Sequence, residues 1–311
     1  MVQRSIRSKK VSKKYGKIIN TTNGDYINII IKTPNGKHVV LGSSQGVMYL
    51  FSLQTHKISG YGELDGFIGG LATTHDGEYL FVASNRDLFC FKMGSLENLM
   101  ELKFDSMIIG MVMSMDDKFL FCGNRWGNLT SIDIDKRRFA GDFGTILDNG
   151  IKTMIITRDN KFLIVAGSNG DSKKPTTKYH VKKFSIDKGR VVKHFGLLCK
   201  NTVQSIQLGP GHNSLFAYDE LCNLKEVKMT DEITLPLKVP FMKTIRGYPR
   251  RTMPTIADYG NVVNGFGEGG QSILVSRDGR YIFATSGRIN GGWNSHALKQ
   301  FSVRRQALHG E

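Results

Sequence analysis

The sequence contains few cysteines, and none of them lie close together. The four thiols in 311 residues are Cys90, Cys122, Cys199 and Cys222. Their spacing excludes the disulfide framework of a small secreted domain and the paired ligands of a zinc site. Cys90 and Cys122 stand within apolar segments, so we predict that they are buried in a protein of a reducing compartment. Eight histidines are scattered without metal-ligand spacing, and the sequence predicts no metal and no cofactor.

Long apolar runs are also missing. No window of eighteen residues is apolar throughout, which excludes a membrane-spanning helix by its length. Residues 1–14 are basic and lack the apolar stretch of a secretory signal, so we interpret them as a flexible tail. We expect a cytoplasmic protein. Because no acidic residue precedes Asp25, the mitochondrial matrix is an alternative location, and association with the acidic cytoskeleton is another.

Proline is scarce, at 7 residues, whereas glycine is abundant, at 35. This balance indicates many tight turns instead of a disordered linker. The turns belong to a segment that recurs six times at a pitch of about forty residues. It reads TPNGKHVVLG from Thr33, THDGEYLFVA from Thr74, SMDDKFLFCG from Ser114, TRDNKFLIVA from Thr157, GPGHNSLFAY from Gly209 and SRDGRYIFAT from Ser276. Five copies place Asn or Asp with Gly, Asp or Asn at the turn, where these residues tolerate positive φ.

Each of these turns lies between apolar segments, and a further apolar segment follows a polar loop. A repeat of about forty residues built from strands alone is typical of one blade of a β-propeller. We therefore predict an all-β fold, with a single β-propeller over residues 15–311. Six blades are expected, and seven are the alternative, because residues 230–254 form an insertion long enough to contain another blade.

An aromatic-glycine pair follows the third strand in four repeats: Tyr61-Gly62, Phe143-Gly144, Phe195-Gly196 and Tyr259-Gly260. The second repeat has Met100-Glu101 at this point. A further pair, Tyr15-Gly16, precedes the first repeat, while the last repeat ends without one. We predict that a strand near the N-terminus pairs with the C-terminal blade and closes the ring, so that no sheet edge is left open.

The period and the apolar pattern from Tyr15 to Val303 resemble those of the WD-repeat family. The signature dipeptides are absent, since Phe51-Ser52 and Phe91-Lys92 stand where the family has Trp-Asp. The family's Gly-His pairs are also missing, so its buried Asp-His-Ser-Trp hydrogen-bond set does not carry over. Segments such as HDGEYLFVASN are similar to bacterial lactonase-like propellers as well. The WD-repeat resemblance implies a scaffold within a larger assembly.

The net charge of +16 predicts acidic partners, either proteins or nucleic acid. In a propeller, the loops between second and third strands lie at one end of the ring, together with the blade-to-blade connections. We call this end the upper rim and the opposite end the lower rim. Guanidinium groups bind carboxylates in bidentate fashion, and tryptophans anchor protein interfaces. The candidate partner-binding residues of the upper rim are Arg86, Arg125, Trp126, Lys173, Lys174, Arg288 and Trp293.

The insertion is predicted to lie on the lower rim and offers a second basic surface. Basic residues interleaved with aromatic ones can hold a phosphate backbone or lie along another protein. Its candidate partner-binding residues are Lys243, Arg246, Tyr248, Arg250 and Arg251.

Two segments match the letters of catalytic or phosphate-binding motifs but lack the structural context that those motifs need. GSSQG from Gly42 matches a nucleophile elbow, but it lies between two strands and not between a strand and a helix. GFGEGG from Gly265 is not followed by a helix that could hold a phosphate. The first strands, which should line the central channel, offer almost no carboxylate or histidine, so we predict a protein that is not an enzyme and has no small-molecule substrate.

The sequence thus favours a non-catalytic propeller that serves as a protein–protein interaction scaffold, with basic rims that contact an acidic surface or peptide. An RNA- or ribonucleoprotein-binding propeller is the alternative, since the same cations suit phosphates. A lactonase-like propeller hydrolase is the second alternative.

Overall fold

The computed structural model describes residues 27–52, 55, 58–93, 95–169, 178–197, 203–209, 214–219, 223–228, 255–261, 270–275, 281–286 and 297–302. Twenty-three β-strands lie within these ranges. Among the same residues there is no helix long and apolar enough to cross a membrane.

The first twenty strands follow one another in groups of four, and each group forms an antiparallel sheet that we call a blade; the last three strands form a sixth sheet. Blade 1 contains β1 (Ile27–Lys32), β2 (His38–Ser43), β3 (Val47–Ser52) and β4 (Ile58–Glu63). Blade 2 contains β5 (Ile68–Thr73), β6 (Tyr79–Ser84), β7 (Asp87–Lys92) and β8 (Asn98–Lys103). Blade 3 contains β9 (Ile108–Met113), β10 (Phe119–Asn124), β11 (Asn128–Asp133) and β12 (Arg138–Thr145).

The remaining sheets repeat this layout. Blade 4 contains β13 (Asn149–Ile156), β14 (Phe162–Asn169), β15 (Lys178–Ser185) and β16 (Arg190–Leu197). Blade 5 contains β17 (Val203–Leu208), β18 (Ser214–Asp219), β19 (Asn223–Lys228) and β20 (Thr255–Asn261). The last sheet contains β21 (Gly270–Val275), β22 (Tyr281–Ser286) and β23 (Ala297–Ser302). The first strands pack side by side in chain order, and β21 lies against both β17 and β1.

The all-β propeller is confirmed, but the predicted number of complete blades is wrong. Five sheets have four strands and the last has three, where six complete blades, or seven, were expected. In the ranges that the structure describes there is no further sheet. The strand around Tyr15 that should complete the last sheet lies outside those ranges, so ring closure by the two chain ends stays a prediction.

The repeated turn joins the first two strands of blades 1 to 4 and is held by one hydrogen-bond pattern. In blade 4, Thr157 Oγ1 donates to Asp159 Oδ1 at 2.6 Å, and the amide of Phe162 donates back to Thr157 Oγ1 at 3.1 Å. Asn160 then takes a φ of 57°, as the turn requires. The corresponding trios are Thr33, Asn35 and His38; Thr74, Asp76 and Tyr79; and Ser114, Asp116 and Phe119. The predicted hairpin turns are therefore confirmed in these four blades.

Neighbouring blades pack face to face through apolar side chains. Leu88, Ile108 and Leu120 belong to one buried cluster between blades 2 and 3. The predicted burial of Cys90 and Cys122 is confirmed, because both thiols lie in this same cluster. Burial raises the pKa of Cys90 to about 11 and raises that of Cys122 as well, so both stay protonated at neutral pH.

The aromatic-glycine pairs lie on the fourth strands β4, β12, β16 and β20, and Met100-Glu101 lies on β8. The aromatic-glycine pair thus lies on the outermost strand of blades 1, 3, 4 and 5.

Candidate partner-binding rim and central channel

Arg86 and Arg125 lie on the same rim, because both bond to one blade-to-blade connection. Between blades 2 and 3, the amide of Phe104 donates to the carbonyl oxygen of Arg86 at 2.8 Å. Three residues further on, the carbonyl oxygen of Met107 accepts from the amide of Arg125 at 2.9 Å. Both arginine side chains are exposed. The structure therefore brings these two predicted site residues from adjacent blades to the two ends of a four-residue segment.

Trp126 follows Arg125 in the loop between β10 and β11. Asn124 holds this loop, since its Oδ1 accepts from the amides of Trp126 at 2.9 Å and Asn128 at 3.0 Å. The tryptophan is 58% exposed, so most of its ring is not packed against its own blade. A large apolar side chain is thus presented beside a guanidinium group, which is the composition of many protein-interface anchors.

The upper rim also carries acidic residues that the loop sequences did not predict. Asp65, Asp105 and Asp148 are all exposed. Asp65 and Asp105 lie three residues before the first strands of their blades, and Asp148 immediately precedes β13. Asp105 stands within the connection that bonds to the two arginines. The described part of the upper rim therefore carries both basic and acidic residues, and the basic character of the whole rim stays a prediction. A repeat alignment extended three residues upstream would have revealed these positions.

The connections on this rim are tied to the neighbouring loops. Ser84 Oγ donates to the carbonyl oxygen of Asp65 at 2.8 Å, and Asn85 bridges blades 2 and 3 by accepting from the amide of Ile108 at 2.9 Å. Further round the ring, Lys182 is buried, and its Nζ donates to the carbonyl oxygen of Ile146 at 2.8 Å. Burial lowers the pKa of Lys182, and Asp148 opposes that effect. These bonds give the rim a fixed backbone on which exposed side chains are displayed.

All the other predicted site residues lie outside the described residues. On the upper rim these are Lys173, Lys174, Arg288 and Trp293, and in the insertion they are Lys243, Arg246, Tyr248, Arg250 and Arg251. Their part in a binding surface stays a prediction.

The first strands enclose a cavity of about 130 Å³ on the axis of the ring. As the sequence predicted, β1, β5, β9 and β13 line it, and β17 does so as well. Its polar lining residues in the described chain are Asn28, Lys152, Thr153, Gln204, Ser205 and Gln207. Leu71, Met111 and Met154 are among its apolar lining residues. Within the described residues no group of three or more His, Cys, Asp or Glu side chains is arranged to hold a metal ion.

Glycine allows the first strands to approach one another closely around this cavity. A Cβ atom at Gly69 of β5 would lie 2.2 Å from the carbonyl oxygen of Ile108 on β9, which is far inside contact distance. At Gly110 the same atom would lie 2.8 Å from the carbonyl oxygen of Ile151 on β13. The width of the channel at blades 2 to 4 thus depends on residues without a side chain.

No protein-family model and no curated protein matches the sequence. Solved structures do match its fold. A chain of the Kuenenia stuttgartiensis hydrazine synthase has 14% identity and a TM-score of 0.63, with coverage of 92% of this chain and 98% of that one. The Cps50 (Swd1) β-propeller domain of Myceliophteria thermophila has 11% identity and a TM-score of 0.63, with coverage of 90% and 88%.

A chain of the mitotic checkpoint complex has 12% identity and a TM-score of 0.65, with coverage of 93% of this chain and 80% of that one. At these identities the similarity shows the fold alone. The chain therefore has a WD-repeat-like β-propeller fold, built from repeats that lack the family's signature dipeptides.

Proposed function

We propose that this chain is a non-catalytic propeller that serves as a protein–protein interaction scaffold, and that its upper rim binds an acidic segment of a partner protein. The observation that carries the proposal is the pair Arg86 and Arg125, exposed at the two ends of one hydrogen-bonded connection. Trp126, the residue after Arg125, is exposed and supplies an apolar anchor.

The geometry suits a short acidic segment. Two guanidinium groups on a fixed backbone can each bind a carboxylate, and little conformational entropy of the backbone is lost when they do. The exposed indole adds apolar area that would be buried in the complex. Propellers of this fold occur in assemblies, since one similar chain belongs to the mitotic checkpoint complex. This supports a scaffold role.

The mixed charge of the rim favours protein over nucleic acid. Asp65, Asp105 and Asp148 repel phosphates, which are spaced regularly along a nucleic acid backbone. An acidic peptide can place its carboxylates opposite the arginines and leave neutral residues opposite the aspartates. The three acids therefore restrict the partner to a segment whose charges are spaced to match.

A charge-reversal experiment tests the proposal. Partners of the tagged protein are cross-linked, purified and identified by mass spectrometry for the wild type and for the double variant Arg86→Glu and Arg125→Glu. The matched control is Lys92→Glu with Lys188→Glu, which makes the same charge change at exposed positions on the last hairpins of blades 2 and 4. We expect the amount of co-purified partner protein to fall at least tenfold in the arginine variant and to stay unchanged in the control.

Two outcomes would contradict the proposal. One is the same set of partners in wild type and arginine variant. The other is binding of generic RNA that falls steeply with salt and is abolished by the arginine variant, because this would assign the rim to phosphates.

A further inference from the structure

The upper rim alternates in charge at the junction of blades 2 and 3. Arg86, Asp105 and Arg125, which we call the charge triplet, belong to one blade-to-blade connection or bond to it. The amide of Phe104 donates to the carbonyl oxygen of Arg86, and the carbonyl oxygen of Met107 accepts from the amide of Arg125. Asp105 lies between these two bonds in the chain, so the acid stands between the two arginines along the rim. All three members of the triplet are exposed.

The three charges are not paired with one another. Three ion pairs occur in the part of the chain that the structure describes, and none of them includes a member of the triplet. Two further charges on this part of the rim, Lys103 and Asp87, lie 4.0 Å apart and pair with each other. Asp105 therefore does not neutralise either arginine by direct contact, although it stands between them. A partner that binds here meets one acid and two bases.

The neighbouring junction shows that this alternation is not a general property of the blades. Between blades 1 and 2, Asp65 lies three residues before β5, just as Asp105 lies three residues before β9. The two bonds that the arginines make at their connection are made there by the carbonyl oxygen of Gly46 and the amide of Asn85. Two uncharged residues thus flank Asp65, whereas two arginines flank Asp105.

The length of the connection limits the spacing of the arginines. An extended chain covers at most about 3.6 Å per residue, so residues 104–107 separate the two bonded loop positions by no more than roughly 14 Å. In an extended partner segment the side chains at positions i, i+2 and i+4 point to one side, and the first and fifth residues are about 13 Å apart. On a helix the residues at i and i+4 are only about 6 Å apart. The extended form therefore matches the triplet.

We propose that the charge triplet binds an extended partner segment with the charge order acid, base, acid, in which one residue separates each charge from the next. The two acids face Arg86 and Arg125, and the base faces Asp105. A neutral residue opposite Asp105 only avoids repulsion, whereas a base adds a third attraction. This inference rests on the proposed scaffold function and specifies its partner. Because Trp126 is 58% exposed beside Arg125, an apolar residue beyond one of the acids adds contact area.

Peptides of equal composition test the charge order. The matching peptide is LSESKSESL, which has the same order of charges in both directions, and the permuted peptide is LSKSESESL; both are capped at their ends. Fluorescence anisotropy of the labelled peptides is measured at low ionic strength, because salt screens exposed charges. We expect the wild type to bind the matching peptide at least about fivefold more tightly, since the permuted peptide places a base or an acid opposite a like charge.

A charge reversal on the protein tests the role of Asp105. The peptide LSESESESL carries an acid in the middle position. Its affinity relative to that of LSESKSESL should rise at least about tenfold in Asp105→Lys, because the middle residue then faces a base. Asp135→Lys makes the same charge change at an exposed turn of the lower rim and should leave this ratio as in the wild type. The neutral variant Asp105→Asn should give a smaller rise in the same direction.

The charge order is overturned if the wild type binds the matching and permuted peptides equally, or binds neither at millimolar concentration. An unchanged ratio in Asp105→Lys, or in Asp105→Asn should the lysine variant fail to fold, overturns it as well. Thermal unfolding shows which variants are folded. The scaffold function is decided separately: if Arg86→Glu with Arg125→Glu loses the cellular partners while the wild type binds both peptides equally, the rim binds acidic segments without regard to this order.

Discussion

Asp117 in blade 3 fastens the backbone of His75 in blade 2. Its two carboxylate oxygens accept from the amide of His75 at 3.0 and 2.8 Å, and its Oδ1 also lies 2.7 Å from Nδ1 of the imidazole. The two residues are 42 positions apart in the chain, one repeat from the other. Asp117 has a φ of 58°, so the turn itself aims the carboxylate at the neighbouring blade.

The same link recurs one blade further on, where the amide of Met115 donates to Asn160 Oδ1 at 2.7 Å. Between blades 1 and 2 both partners are missing, because the corresponding residues are Pro34, which has no amide hydrogen, and Gly77, which has no side chain. Gly77 would place a Cβ 3.7 Å from the ring of Pro34, in ordinary contact. At these three junctions the amide donor and the side-chain acceptor are therefore either both present or both absent. This indicates that hydrogen bonds between turns connect neighbouring blades at the lower rim, one junction at a time.

Replacing Asp117 should loosen the junction of blades 2 and 3. We expect Asp117→Ala to lower the free energy of unfolding by about 1–2 kcal/mol, because the amide of His75 loses its acceptor and alanine is strained at positive φ. Asp117→Asn should stay close to the wild type, since Asn160 makes this bond in the next blade. Urea unfolding measures the difference. Asp135→Ala, at an exposed turn, is the control, and an equal loss there would refute the assignment.

The turns could be predicted from the sequence, whereas the contacts between blades could not. Asp, Asn and Gly indicate a turn because they tolerate positive φ, and a hairpin turn depends only on the few residues that form it. The bond from His75 to Asp117 depends on how two blades pack, which the residues of either turn alone do not specify.

The upper rim illustrates the same limit. Arg86 and Arg125 were placed correctly because they follow a recognisable strand, and a strand fixes the end at which its loop emerges. Asp105 was missed because it belongs to a connection between repeats, where no apolar pattern marks the position. The net charge of a rim is the sum over its loops and its blade-to-blade connections, so a prediction from the loops alone leaves the acidic residues of the connections out.

The hydroxyl of the repeated turn should be required for the stability of each hairpin. Thr157→Ala removes the acceptor of the Phe162 amide and the donor to Asp159, and it should cost about 1–2 kcal/mol of unfolding free energy. Thr157→Ser keeps the hydroxyl and should recover most of that loss, since Ser114 holds this position in blade 3. Urea unfolding of both variants provides the comparison. Equal stability of the Ala and Ser variants would show that the bonds contribute nothing.

The turn carboxylates should make the protein sensitive to acid. Hydrogen bonds lower the pKa of Asp76, chiefly the one from the Glu78 amide, and those of Asp116 and Asp159, chiefly the ones from Ser114 and Thr157. As the pH falls, these aspartates therefore bind protons in the unfolded chain, near pH 3.9, before they do so in the folded protein. The stabilisation is complete above that pH and is lost as the pH falls through the lower folded-state values.

Blade 1 offers a way to measure this effect, because Asn35 occupies the carboxylate position without a charge. Asp159→Asn should keep the acceptor and reduce the loss of stability between pH 5 and pH 3, as estimated from the range over which Asp titrates. Asn35→Asp should increase that loss. Urea unfolding at a series of pH values follows both changes, and parallel pH profiles for the two variants and the wild type would contradict the role of these turns in acid sensitivity.

Gly69 should tolerate no side chain, because the first strands of blades 2 and 3 touch there. In Gly69→Ala the new methyl group would lie 2.2 Å from the carbonyl oxygen of Ile108, and backbone atoms cannot rotate away as a side chain can. Overpacking of this kind costs about 1–3 kcal/mol.

In Gly62→Ala the methyl group comes too close only to the end of the Met48 side chain, at 2.9 Å, and this flexible side chain can move aside. We therefore expect a clear loss of unfolding free energy in Gly69→Ala and a change within about 0.5 kcal/mol in Gly62→Ala. A similar loss in both variants would mean that glycine serves strand geometry in general and not the close approach of the first strands.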